Sequence, residues 1–101
     1  LPDADIAFND IATAMKISEA ERSDATARKA AERNGLVPQP ATPLSQRHSW
    51  ERIIGDTTIW FETRWHDPSQ AFSIQHDVRI LTVEIRGGGR VLRREEVRFS
   101  D

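Results

Sequence analysis

The chain has no cysteine, a single methionine (Met15) and no long apolar run. Without cysteine, disulfides and thiolate metal sites are excluded, while reducing and oxidising compartments both stay open. No stretch approaches the ~20 apolar residues needed to span a bilayer. The acidic start Leu1-Pro2-Asp3-Ala4-Asp5 has the wrong chemistry for a signal peptide. No nucleotide-binding loop, metal-spaced ligand set or nucleophile signature occurs. Met15 as the only methionine fits a processed or excised domain of a larger protein. What remains open is a binding or assembly role, or chemistry that needs no cofactor.

What is present is a globular composition. The 101 residues are 38% hydrophobic and 30% charged, enough for one domain (1–101) with a thin core. Net charge is −2, which argues against a general nucleic-acid binder working by phosphate neutralisation. Residues 1–44 carry five basic and seven acidic groups, and residues 45–101 carry nine of each. Nearly all the basic residues are arginine, a bias that a GC-rich genome produces without any function behind it.

Two hydrophobic periods meet at Pro38, Pro40 and Pro43. Before them, Phe8, Ile11, Ala12 and Met15 recur at helical spacing behind Asp3 as N-cap. Ser18-Glu19-Ala20-Glu21 reads as a capping box, so the helical segment (1–35) bends or splits there. A second helix would bury Ala20, Ala27, Ala30 and Ala31 and stop at Asn34-Gly35. Residues 36–46 form a connector crossing the sheet edge; its Pro40-x-x-Pro43 spacing lacks the basic anchor of a polyproline ligand.

From residue 47 onward the pattern is that of strands. Turns at Gly55-Asp56, Asp67-Pro68-Ser69-Gln70 and Gly87-Gly88-Gly89 separate four of them, near 48–54, 57–66, 71–86 and 90–99. The expected fold is α+β: one bent helix or a helix pair, then a four-stranded antiparallel meander covered on one face. Alternation puts Trp50, Ile54, Ile59, Phe61 and Trp65 on the covered face, and Phe72 and Ile74 join them if 66 pairs with 71. The third strand then changes parity before Leu81, Val83 and Ile85, which calls for a bulge near Asp77–Ile80.

The opposite face carries the candidate site. Trp60, Glu62, Arg64 and His66 alternate in one row, flanked by Arg47, Ser49 and Glu51 on one side and Ser73, Gln75 and Asp77 on the other. A tryptophan on the uncovered face of a sheet, with arginine beside it, is the composition of a binding surface. The last hairpin adds Arg86, Arg90, Arg93, Arg94 and Arg98 against Glu84, Glu95 and Glu96, charges that also protect an open edge. The expected function is therefore a non-catalytic protein-binding or assembly module. Trp60, Arg64, Arg47, Glu51, Arg93 and Arg94 would meet another protein or a second copy of the chain.

The alternative is a small metal-independent ribonuclease. Glu62 as base, His66 as acid and Arg64 for phosphate charge would supply its parts. Small ribonuclease toxins carry such groups on a sheet packed against helices, an analogy of architecture and not of motif. No cofactor is implied. Strand parity also separates His66 from His48 and His76, so no zinc site built from the three histidines is expected.

Overall fold

The computed structural model describes residues 3–41, 47–66 and 78–100, and of His66 the backbone only. Among the described residues, two helices, α1 (Ala4–Glu21) and α2 (Ala25–Arg33), precede five strands. These are β1 (Val37–Pro38), β2 (His48–Ile54), β3 (Thr57–His66), β4 (Val78–Gly87) and β5 (Arg90–Ser100). The sheet is an open antiparallel meander in the order β1-β2-β3-β4-β5. It has one strand more than the sequence pattern suggests. Val37 and Pro38 pair with Glu51 and Trp50, so the proline-rich connector begins as a two-residue edge strand. Proline is tolerated there because an edge position need not donate on both sides.

Asp3 caps α1 as expected, its carboxylate accepting from the Ile6 amide at 2.9 Å. The helix ends at Arg22, a non-glycine residue in the left-handed region (φ 56°). Ser18 does not open the second helix. It lies inside α1, and its buried hydroxyl accepts from the Ala27 amide of α2 at 2.9 Å. That bond serves the N-terminus of α2, where the Asp24 side chain makes no capping bond. The motif thus joins two helices instead of starting one. Ser18→Ala should lower stability by about 1–2 kcal/mol, through the lost cap and a buried amide left without a partner. An unchanged urea midpoint would contradict that role.

Alanine sets how the helices pack. Ala27, Ala30 and Ala31 are buried, while Ala20, expected among them, is exposed. The C-terminal end of α2 is tied to α1 by Arg33, which donates to both Asp10 oxygens at 2.8 Å. The Asn34 amide also donates to Asp10 at 2.6 Å. The Arg33 hydrogen bonds hold the Asp10 carboxyl below its ordinary pKa.

Both helices lie on one face of the sheet. Phe8, Ile11, Ala14 and Met15 share a core with Trp50, Ile59, Phe61, Leu81, Val83, Ile85 and Phe99. The Trp50 and Phe61 rings pack 5.2 Å apart at 42°, and the Arg28 guanidinium of α2 sits 5.0 Å over Trp50. The covered face is the one expected, but the register beyond β3 is not. His66 pairs with Val78, not with residue 71. Leu81, Val83 and Ile85 therefore face Thr63, Phe61 and Ile59 in unbroken alternation. No bulge is needed near residue 80; the register shift lies at Ile85/Arg86, where Leu92 is the extra residue of β5. The turn at 67–70, Phe72, Ile74 and the row Ser73, Gln75 and Asp77 lie outside the described residues.

Candidate functional site

The face that neither helix covers is set by the register. Val37 of β1 is opposite Glu51 of β2, and Glu51 is opposite Trp60 of β3. Trp60 in turn faces Glu84 of β4, which faces Arg94 of β5. Since paired residues point to the same side, this face carries Val37, Ser49, Glu51, Ile53, Thr58, Trp60, Glu62 and Arg64. From β4 and β5 come Ile80, Thr82, Glu84, Arg86, Val91, Arg94, Glu96 and Arg98. The partners of the β3 row are thus Ile80, Thr82 and Glu84, in place of the residues near 75 that alternation suggested.

Charge on this face is arranged as interlocked pairs. Arg47 Nε lies 2.5 Å from Glu62 Oε1, in contact but without hydrogen-bond alignment. Arg64 approaches the other oxygen at 3.9 Å. Glu84 is held by Arg86 at 2.6 Å and Arg94 at 3.4 Å, and Glu96 by Arg94 at 3.1 Å and Arg98 at 3.5 Å. The arginine stems cover the carboxylates between them, leaving Glu62 5% and Glu84 7% exposed.

Burial raises the Glu62 pKa above its ordinary 4.5, against the pull of Arg47, Arg64 and Arg86. Between 4.5 and that raised value the folded chain keeps a proton that the unfolded chain releases. Stability contributed by this group is therefore present at low pH and lost as pH rises through the window. Glu62→Gln removes that loss, so its stability relative to the native chain should increase from pH 4.5 toward neutrality. Denaturation midpoints of the two proteins across this range check it; a parallel pair of curves would contradict the shift.

Trp60 is half-buried, with the Arg86 guanidinium 4.2 Å over its ring. The same face carries two exposed apolar side chains that alternation along β3 does not reveal. Ile53 is 69% exposed and Val37 59% exposed; they are diagonal neighbours on β2 and β1, Ile53 also diagonal to Trp60 and Val37 separated from Trp60 by Glu51. A shallow depression lined by Thr58, Glu84, Arg86 and Val91 continues the patch toward the glycine turn. Ile53 could have been found from its parity with Glu51. Val37 gave no signal, because its neighbouring prolines argued against any strand.

Of the expected site residues, Trp60, Arg64, Arg47, Glu51 and Arg94 come together on this face. Arg93 does not. It points to the helix side, donating to Asp5 and Asn9 at 3.0 Å each and stacking 4.2 Å over Phe8. It fastens α1 to β5.

Glu62 and Arg64 stand as neighbours, with the His66 backbone next in the row. The His66 side chain and His76 lie outside the described residues, so the histidine arrangement does too. His48 is exposed at the end of the covered face. Among the described residues no group of three or more His, Asp or Glu is placed to hold a metal. No helix among them is long and apolar enough to cross a membrane. As a general base, Glu62 is poorly served: both oxygens face guanidinium groups and little of the side chain reaches solvent.

Comparison with known proteins found no matching protein family, no matching curated protein and no matching solved structure.

Proposed function

We propose that this chain is a non-catalytic protein-binding module whose recognition surface is the sheet face around Trp60. One observation carries the reading: Val37, Ile53 and Trp60 form a partly exposed apolar group on a face that neither helix covers. Two large aliphatic side chains more than half exposed on the same face as a tryptophan gain nothing within the described fold. They gain about 25 cal/mol per Å² of apolar surface when a partner covers them. Around them, Arg47, Glu51, Arg64, Glu84 and Arg86 form a charged rim, the usual anatomy of a protein interface. Arg86 holds the indole in one orientation, which lowers the entropy that binding must overcome.

Cleavage chemistry is the test from the other side. Incubated with bulk RNA and a chelator, the chain should leave the RNA intact. Cleavage by the native chain that disappears in both Glu62→Gln and His66→Ala would overturn the binding reading.

A further inference from the structure

We infer that β5 is a self-pairing edge, along which two copies of this chain join their sheets into one antiparallel sheet of ten strands. The inference extends the binding-module reading and rests on it only in taking the open sheet as the assembling element. Trp60 is not required for it.

The outer edge of β5 runs for 11 residues, from Arg90 to Ser100, and among the described residues it pairs on its β4 side only. Its one irregularity, at Leu92, lies near the turn; from Arg93 to Ser100 the strand pairs without interruption. It contains no proline. Such an edge presents a row of amides and carbonyls ready to accept another strand, and only its charges oppose that.

Those charges select one partner and one register. In a two-fold antiparallel pair the axis is perpendicular to the sheet, so a residue and its partner point to the same side and their numbers sum to an even value. Centring the pair on Arg93, Arg94 or Arg98 sets arginine against arginine at the axis. Centring it on Glu95 or Glu96 sets glutamate against glutamate. Among centres from 93 to 98, only Val97 avoids both. There Val97 meets Val97 of the second copy on the helix-covered side, where it already packs against the core. On the opposite side, Glu96 meets Arg98 of the second copy, and the two-fold repeats that pair. Glu95 then faces Phe99, and Arg94 faces Ser100. No like charges stand directly opposite each other.

The intrachain geometry suits this exchange. Glu96 lies 3.5 Å from its own Arg98 and 3.1 Å from Arg94. In the paired sheet each Glu96 adds a second Arg98, closing a four-membered charge ring across the seam. Arg93, tied back to Asp5 and Asn9, stays clear of the central pairs. The product is a continuous sheet whose two Trp60 faces lie on the same side, presenting two copies of the recognition surface together.

Sedimentation velocity of the full chain over a concentration series tests the inference. The native chain should dimerise with a dissociation constant on the order of 1–100 μM, a weak association through one strand edge. Glu96→Arg, or Arg98→Glu, places like charges opposite each other twice and should weaken dimerisation at least about tenfold. The double exchange Glu96→Arg with Arg98→Glu should restore it, and Trp60→Ala should leave it unchanged. If a reversal fails to fold, Arg98→Ala at the more exposed partner should still weaken the dimer. A monomer up to about 1 mM, or single reversals that dimerise like the native chain, would overturn the inference. So would a dimer lost in Trp60→Ala but kept in Glu96→Arg. That last result would keep the Trp60 face as an interface, with a second copy as its occupant.

Discussion

Phe61→Ala should destabilise the chain by about 3–5 kcal/mol, the largest stability change expected from any single truncation. Phe61 is fully buried at the centre of β3. It stacks on Trp50 at 5.2 Å and sits opposite Val83, beneath the helices. Losing the ring removes apolar burial from both neighbouring strands and leaves a cavity that the sheet backbone cannot close. A domain of this size has about 5–15 kcal/mol in total, so the shift in urea midpoint should be large. Ile53→Ala, on the neighbouring strand β2 but on the other face and 69% exposed, should change stability by no more than about 0.5 kcal/mol. Equal midpoints for the native chain and Phe61→Ala would mean that the covered face is misassigned.

Trp60→Ala should have the largest effect on binding. A tryptophan anchor at the centre of an interface contributes about 2 kcal/mol or more when removed, roughly a thirtyfold loss of affinity. Two features make Trp60 the proposed anchor: exposed Ile53 is its diagonal neighbour on β2, with Val37 one strand further across Glu51, and the Arg86 guanidinium stacks on its ring at 4.2 Å. Glu62 differs. It is buried beneath Arg47 and Arg64, so Glu62→Gln exposes no new surface and should change affinity by less than threefold. The same substitution should alter the pH dependence of stability, which separates its structural role from recognition.

Local signals account for much of the fold. Asp3, the helical spacing of Phe8, Ile11 and Met15, and the Gly55-Asp56 turn each act within a few residues, and each element appears where its signal stands. The covered face of β2 and β3 followed from alternation alone. The β4 register did not, because His66 pairs with Val78, whereas the turn-like Asp67-Pro68-Ser69-Gln70 suggests residue 71 as its partner. Pairing 66 with 78 removes the parity conflict that had called for a bulge. The strand Val37–Pro38 was illegible for a similar reason: its pairing with Trp50 is long-range, while its prolines argue locally against a strand.

The candidate site was legible as a row but not as a surface. Trp60, Glu62 and Arg64 followed from alternation along β3. What surrounds them came from strand neighbours whose register no local pattern sets: Ile53 and Val37 as the apolar part, Glu84 and Arg86 as the charged part. Arg93 shows the same limit in reverse. Its position in an arginine-rich hairpin suggested a partner surface, yet the residue faces inward across α1 because Leu92 shifts the parity of β5 beyond the turn.

The proposed recognition surface on the Trp60 face is tested most directly by partner capture. The native chain, Trp60→Ala and Glu62→Gln, each immobilised, are compared for the protein they retain from their own cell extract, and the affinity of that protein is then measured by calorimetry. A partner should be held by the native chain and by Glu62→Gln with affinities within threefold, and about thirtyfold more weakly by Trp60→Ala. Equal affinity for the native chain and Trp60→Ala would contradict the proposed surface.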